Sequence, residues 1–137
     1  MILRINKNSK IRQIQQDFSK RFPYLKIEFF KDKNKDGELT ADEMVKDPET
    51  TIGSIREMGH DGVFDIDGLT TVKELEKNFL DIFGVYVQVF RKSGSTWLMT
   101  TTTDHLTLAE QNHIAAEQSK PVTEEKPIDA ADRAELE

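Results

Sequence analysis

Cysteine is absent from the 137 residues. Disulfides, thiol catalysis and cysteine-ligated zinc or iron–sulfur sites are therefore excluded. No apolar run is long enough to span a bilayer, and the first thirty residues lack the apolar core of a signal peptide. The expectation is a cytoplasmic protein without a membrane partner. Histidine is scarce, with His60, His105 and His113 only. His105 and His113 are eight apart, so they make no helical i, i+4 ligand pair, and His60-Asp61 lies in a Gly-His-Asp-Gly turn. Glycine-rich phosphate loops, Gly-x-Ser-x-Gly and His-Glu-x-x-His are all missing. Carboxylates are numerous, but nothing in the sequence gathers two of them in an apolar pocket. A nonenzymatic protein is the expectation, and a small hydrolase is what remains of the enzymatic classes.

The residues present describe a polar, soluble chain. Hydrophobic residues make up 36%, charged residues 32%, and mean hydropathy is −0.58. A chain of this length buries roughly two thirds of its unfolded surface, enough for one core. Charge is unevenly placed: residues 1–31 carry a net +6, residues 32–62 a net −5, residues 63–118 a net −4 and residues 119–137 a net −3. The overall charge of −6 disfavours nonspecific nucleic-acid binding, which needs positive surface to meet phosphate.

The strongest architectural signal is an internal repeat. At an offset of 61, Ile2, Leu3, Ile5, Ile11, Ile14, Phe18 and Phe22 fall on Val63, Phe64, Ile66, Val72, Leu75, Phe79 and Phe83. At an offset of 60, Leu25, Ile27 and Phe29 fall on Val85, Val87 and Val89. Each unit reads strand, turn, amphipathic helix, strand. Thr71 with Glu74 and Thr107 with Glu110 are capping boxes, while Pro23 and Gly84 stop the first two helices. Two such units predict an α+β, ferredoxin-like βαββαβ fold with a single antiparallel sheet of order 4-1-3-2. A fifth strand over 95–101 and a helix over 108–118 follow. The domain is expected to span 1–118 with an insertion at 32–61. Residues 119–137 read as a disordered acidic tail.

"RFPYLKIEFF" (21–30) and "YVQVFRKSGSTWLMTTTTDHLTLAEQN" (86–112) resemble segments of small bacterial proteins of uncharacterised function. The resemblance implies one ordered domain and no catalytic residue.

Residues 32–43, Asp-Lys-Asn-Lys-Asp-Gly-Glu-Leu-Thr-Ala-Asp-Glu, are similar to the twelve-residue EF-hand calcium loop. Asp32, Asn34 and Asp36 would supply side-chain oxygens and Glu38 its carbonyl. Thr40 would act through a water, and Glu43 would close the site with both carboxylate oxygens. Gly37 stands where the loop turns sharply. An isolated loop of this kind binds Ca²⁺ with a Kd of about 10⁻⁴–10⁻³ M. A metal-free reading stands beside it. The entry "YLKIEFF" alternates like a strand rather than a helix, no second loop exists, and Lys33 and Lys35 offset the acidic charge. Thr40 and Glu43 also read as a capping box for a short helix at 41–46.

The fourth and fifth strands hold the other candidate site. Alternation turns Val87, Val89 and Leu98 toward the helices. It turns Tyr86, Gln88, Phe90, Trp97 and Met99 outward, and Tyr24, Lys26, Glu28 and Phe30 of the far strand share that outer face. A turn at Ser93-Gly94 sets Phe90 opposite Trp97, and the helix from Leu108 is expected as a partial lid over these aromatics. Two aspartates on the third strand, Asp65 and Asp67, count against RNA. The function expected is a protein-binding or regulatory module, binding another protein or a second copy through Tyr86, Phe90, Trp97 and Met99. A calcium-binding module is the alternative, with RNA binding and hydrolysis behind it.

Overall fold

A computed structural model of the chain describes residues 1–32 and 38–119. Strand β1 (Ile2–Ile5) leads to helix α1 (Ile11–Arg21) and strand β2 (Leu25–Phe30). A 3-10 turn (Ala41–Glu43), the one-turn helix α2 (Ile52–Ile55) and strand β3 (Gly62–Asp65) follow. Helix α3 (Val72–Asn78) runs on into a widened π turn (Phe79–Phe83), then strands β4 (Tyr86–Ser93) and β5 (Thr96–Met99). A 3-10 turn (Thr101–Thr103) and helix α4 (Leu108–Gln118) end the described chain. The fold is α+β with antiparallel sheets. The tail from Lys120 onward, Asn34 and Asp36 lie outside the described residues.

The two apolar stripes form the core. Ile11, Ile14, Phe18 and Phe22 of the first helical segment and Val72, Leu75, Phe79 and Phe83 of the second are all buried. Phe79 sits centrally, with ring centroids of Phe29, Phe64 and Phe83 at 5.9, 6.2 and 5.5 Å. The capping boxes form as their spacing predicts. Glu74 N–H donates to Thr71 Oγ1 at 3.1 Å and Thr71 N–H to Glu74 Oε1 at 2.9 Å. Thr107 and Glu110 make the same pair of bonds at 2.9 and 3.1 Å.

The single sheet of order 4-1-3-2 does not form. β1 pairs with β3 in one sheet, and β2-β4-β5 make a second. Strands β2 and β4, expected at opposite edges, pair directly over six positions from Leu25↔Arg91 to Phe30↔Tyr86. The connection explains the difference. A split βαβ sheet needs β3 to return beside β2, which a short hairpin would enforce. Here residues 31–61 intervene, so nothing holds those strands as neighbours. β4 and β5, joined by two residues, do pair. Their turn is Gly94-Ser95, one residue later than expected, because Gly94 (φ +62°) takes the first central position. Phe90 therefore lies opposite Met99, and Trp97 opposite Lys92. The helix expected at 41–46 is only the 3-10 turn Ala41–Glu43.

Hydrogen bonds recur between the two halves. Asn8 N–H donates to Asn6 Oδ1 and Leu69 N–H to Asp67 Oδ1, both at 2.8 Å. Ile11 N–H reaches Thr50 O while Ile52 N–H reaches Ser9 O, each at 2.9 Å. Val72 N–H reaches Leu106 O at 3.1 Å while Leu108 N–H reaches Thr70 O at 2.8 Å. α2 thus stands to α1 as α4 stands to α3. Residues 43–45 bond to the outer side of β2 through Lys31 N–H to Glu43 O and Val45 N–H to Phe29 O. They hold the place that β5 holds beside β4.

Gly84 (φ +74°) ends the π turn where the chain crosses residues 58–59. A Cβ there would lie 1.6 Å from Met58 O, whereas a Cβ on Gly94 would meet nothing within 4 Å. Both positions carry the left-handed cost, about 1–2 kcal/mol for a non-glycine residue. Gly94→Ala should cost about that much. Gly84→Ala adds a backbone collision and should cost about 4 kcal/mol or more. Denaturant unfolding of the two variants measures the difference, and equal losses would contradict the crossing.

Candidate partner-binding face

The β2–β4 ladder decides where every side chain of this sheet points. Lys92 N–H donates to Tyr24 O at 2.9 Å, so even-numbered residues of β4 exchange main-chain bonds with β2. Odd-numbered residues direct theirs the other way, toward β5. Side chains alternate independently: Val85, Val87 and Val89 enter the core, while Tyr86, Gln88 and Phe90 face outward and are half-buried. Lys92 continues that outer row.

Outward side chains form a small grid. Tyr24, Lys92 and Trp97 make one row, and Lys26, Phe90 and Met99 the next. The Lys26 ammonium lies 5.4 Å from the Phe90 ring centroid and 4.9 Å from that of Trp97. Lys92 Nζ lies 5.4 Å from the Trp97 centroid. Such cation–π pairs are worth roughly 0.5–1 kcal/mol each at exposed sites. Lys26 also pairs with Glu28 at 3.2 Å. Met99 at the sheet edge is 48% exposed. The structure thus brings Phe90, Trp97 and Met99 together, while Tyr86 sits farther along β4, beside Phe30.

The expected lid is not α4. Leu108 of α4 joins the core, and buried Gln111 meets Arg91, which shares the inward row with Val89. Gln111 Oε1 accepts from Arg91 Nη1 at 2.9 Å, and its Nε2 donates to Thr103 O at 2.7 Å. Weak apolar patterning on α4 therefore reflects a polar dock on the helix side of the sheet. Phe30, expected on the outer face, is buried, and an isolated bridge ties it to Met44. Leu98, expected to face the helices, is 40% exposed because β5 is the edge strand.

Of the calcium-loop candidates, Asp32, Glu38, Thr40 and Glu43 lie within the described residues. Glu43 is buried, and its Oε1 accepts from Thr40 N–H at 2.9 Å and from the Thr40 hydroxyl at 3.1 Å. Among the described residues, no group of three or more His, Asp or Glu side chains is placed to hold a metal ion. All three histidines are exposed. Arg56 fixes the turn at His60 through His60 O at 3.0 Å and Asp61 Oδ1 at 2.7 Å.

Glu76 was not among the residues singled out from sequence. Its Oε2 accepts from Val89 N–H at 3.1 Å, just beyond the end of β5. A groove of about 680 Å³ adjoins it, lined by Lys73, Lys77, Leu80, Val87 and Met99 among others. The available signal was its equivalence to Gln15 at the offset of 61, since Gln15 Nε2 caps Ile27 O at 2.9 Å on the matching edge of β2.

The chain matches no protein-family profile, no curated protein and no solved structure. No helix among the described residues is long and apolar enough to cross a membrane.

Burial pushes the Glu76 carboxyl up to about 7 from 4.5; the Val89 N–H bond opposes this and the Asp104 charge adds to it. The unfolded chain loses this proton near 4.5 and the folded chain keeps it to about 7. Stability should therefore fall as pH rises through that window and then level off. Glu76→Gln keeps an acceptor for Val89 N–H and removes the titration. Its melting temperature should match that of the parent near pH 4 and exceed it at pH 8. A gap that does not change with pH would contradict the assignment.

Proposed function

We propose that this protein is a nonenzymatic protein-binding module whose partner docks on the outer face of the β2-β4-β5 sheet, and that its scaffold is one β-α-β unit used twice. One observation carries the functional reading: Phe90, Trp97 and Met99 stand together under two lysine ammonium groups, on the face that α4 leaves uncovered. Aromatic side chains, tryptophan above all, and methionine are the residue types enriched at interfaces, and tryptophan is among the commonest energetic anchors. The scaffold reading rests on the matched turns and the matched docking of α2 and α4. It supports the reading further that the two halves differ at one place. Beside β2 the described chain places residues 43–45, whereas beside β4 it places the strand β5, which presents an edge of the larger sheet.

Calcium binding by residues 32–43 is a second proposal, resting on the motif. Glu43→Gln separates it from the capping role, because glutamine also completes a capping box. If the loop binds metal, Thr40 and Glu43 amides shift with millimolar Ca²⁺ in the parent and stay still in Glu43→Gln.

The protein-binding reading predicts that iodide quenches Trp97 fluorescence readily in the free protein. Phe90→Gln should change stability by no more than about 1 kcal/mol, since Phe90 is only half-buried. A Trp97 fully shielded from quencher in a monomer would make this face ordinary core and contradict the reading.

A further inference from the structure

Among the described residues, the outer edge of β5 is open. Thr96 and Leu98 turn their main-chain groups toward Ser93 and Arg91 of β4. Trp97 and Met99 turn theirs away, and no described strand lies beyond them. Soluble proteins blunt such edges by keeping them short or with a lysine, a proline or a bulge. β5 is short, at 4 residues, but it reads Thr-Trp-Leu-Met and carries no charged residue or proline. Its side chains are unusually apolar for an edge, with Leu98 and Met99 40% and 48% exposed.

Charge narrows what this edge fits. Two ammonium groups converge on the single Trp97 ring, at 4.9 and 5.4 Å from its centroid. Glu28 is the ion-pair partner of Lys26, and among the described residues Lys92 has no carboxylate within ion-pair distance. An anionic group above Trp97 would meet both ammonium groups at once.

We propose that β5 takes a carboxylate-bearing extended segment of another protein as a further strand of this sheet, with alternate side chains reaching Lys26 and Lys92 above Trp97. This rests on the protein-binding reading of the same face. The main-chain groups of Trp97 and Met99 supply hydrogen bonds that any extended segment can make. Specificity comes from the outer face, where every second residue of the incoming strand lies beside Trp97 or Met99. A carboxylate there makes charge-assisted contacts with the two ammonium groups. A second copy fits less well: its β5 brings another Thr-Trp-Leu-Met and no carboxylate. RNA would use the rings and lysines but leave the edge unpaired, and would approach a chain of net charge −6.

The test uses the full chain labelled with ¹⁵N. Three probes are titrated: a seven-residue peptide alternating valine and glutamate, the same peptide with lysine for glutamate, and oligouridylate. The glutamate peptide should shift the Trp97 and Met99 amides saturably, and the lysine peptide should leave them unmoved. Lys92→Gln, a change at a half-buried surface residue whose fold is checked by circular dichroism, should weaken that binding by about fivefold to tenfold. Raising the salt should weaken it as well. Equal binding of the lysine peptide would overturn the carboxylate preference while leaving a protein-binding face. A silent Trp97 and Met99 with both peptides, in a protein whose Trp97 iodide still quenches, would overturn strand addition alone. Doubling of the sedimentation mass without peptide assigns the edge to a second copy and overturns the proposal, as does saturable binding of oligouridylate at Trp97. Shielding of Trp97 from iodide in the monomer would remove the underlying reading.

Discussion

The antiparallel ladder between Leu25–Phe30 and Tyr86–Arg91 is the constraint on which the rest of the structure depends. It sets β2 beside β4, which becomes the central strand of the larger sheet. Leu25, Ile27, Phe29, Val85, Val87 and Val89 then share one buried side, where both phenylalanine stripes can reach them. Because side chains alternate, the same ladder forces Lys26, Glu28, Gln88 and Phe90 to the other side. Because main-chain bonds alternate too, the odd-numbered residues of each strand face outward along the sheet. Those outward groups need partners. Gln15, Ser19 and Val45 supply them to β2, and Glu76, Thr100 and β5 supply them to β4.

The two edges are closed by different means, and the differences carry the functional account. On β2, neutral Gln15 donates to a carbonyl and residues 43–45 complete the edge. On β4, the matching helical position is Glu76, a carboxylate that burial makes reluctant to ionise. There the edge is completed by a strand, β5, beyond which no strand lies among the described residues. In sequence, the segment that resembles a calcium loop follows β2 directly and ends at Glu43. This position accounts for its entry from a strand instead of a helix.

Much of the local structure was legible because it depends on short-range chemistry. The stripe at Ile11, Ile14, Phe18 and Phe22 has helical spacing, and the Thr-x-x-Glu boxes need only three residues of context. The outward positions of Phe90, Trp97 and Met99 followed from alternation, which has no dependence on the partner strand. Strand order was not legible in the same way. Whether β3 sits beside β2 turns on how residues 31–61 travel, and no local spacing encodes that path. The hairpin register slipped for a smaller reason: Ser93-Gly94 and Gly94-Ser95 are both plausible turns, and the positive φ of Gly94 selects the second. The buried Phe30, the inward dock of α4 and the raised Glu76 depend on tertiary surroundings, which composition and periodicity do not contain.

Hydrogen exchange at β5 tests the central claim most directly. If the outer edge of this sheet is open to a partner, the Trp97 and Met99 amides of the free protein exchange at nearly the unprotected rate. The Phe90 and Arg91 amides, which lie inside the ladder, exchange much more slowly. Strong protection of Trp97 and Met99, matching that of Phe90, would show the edge already satisfied and would contradict the account.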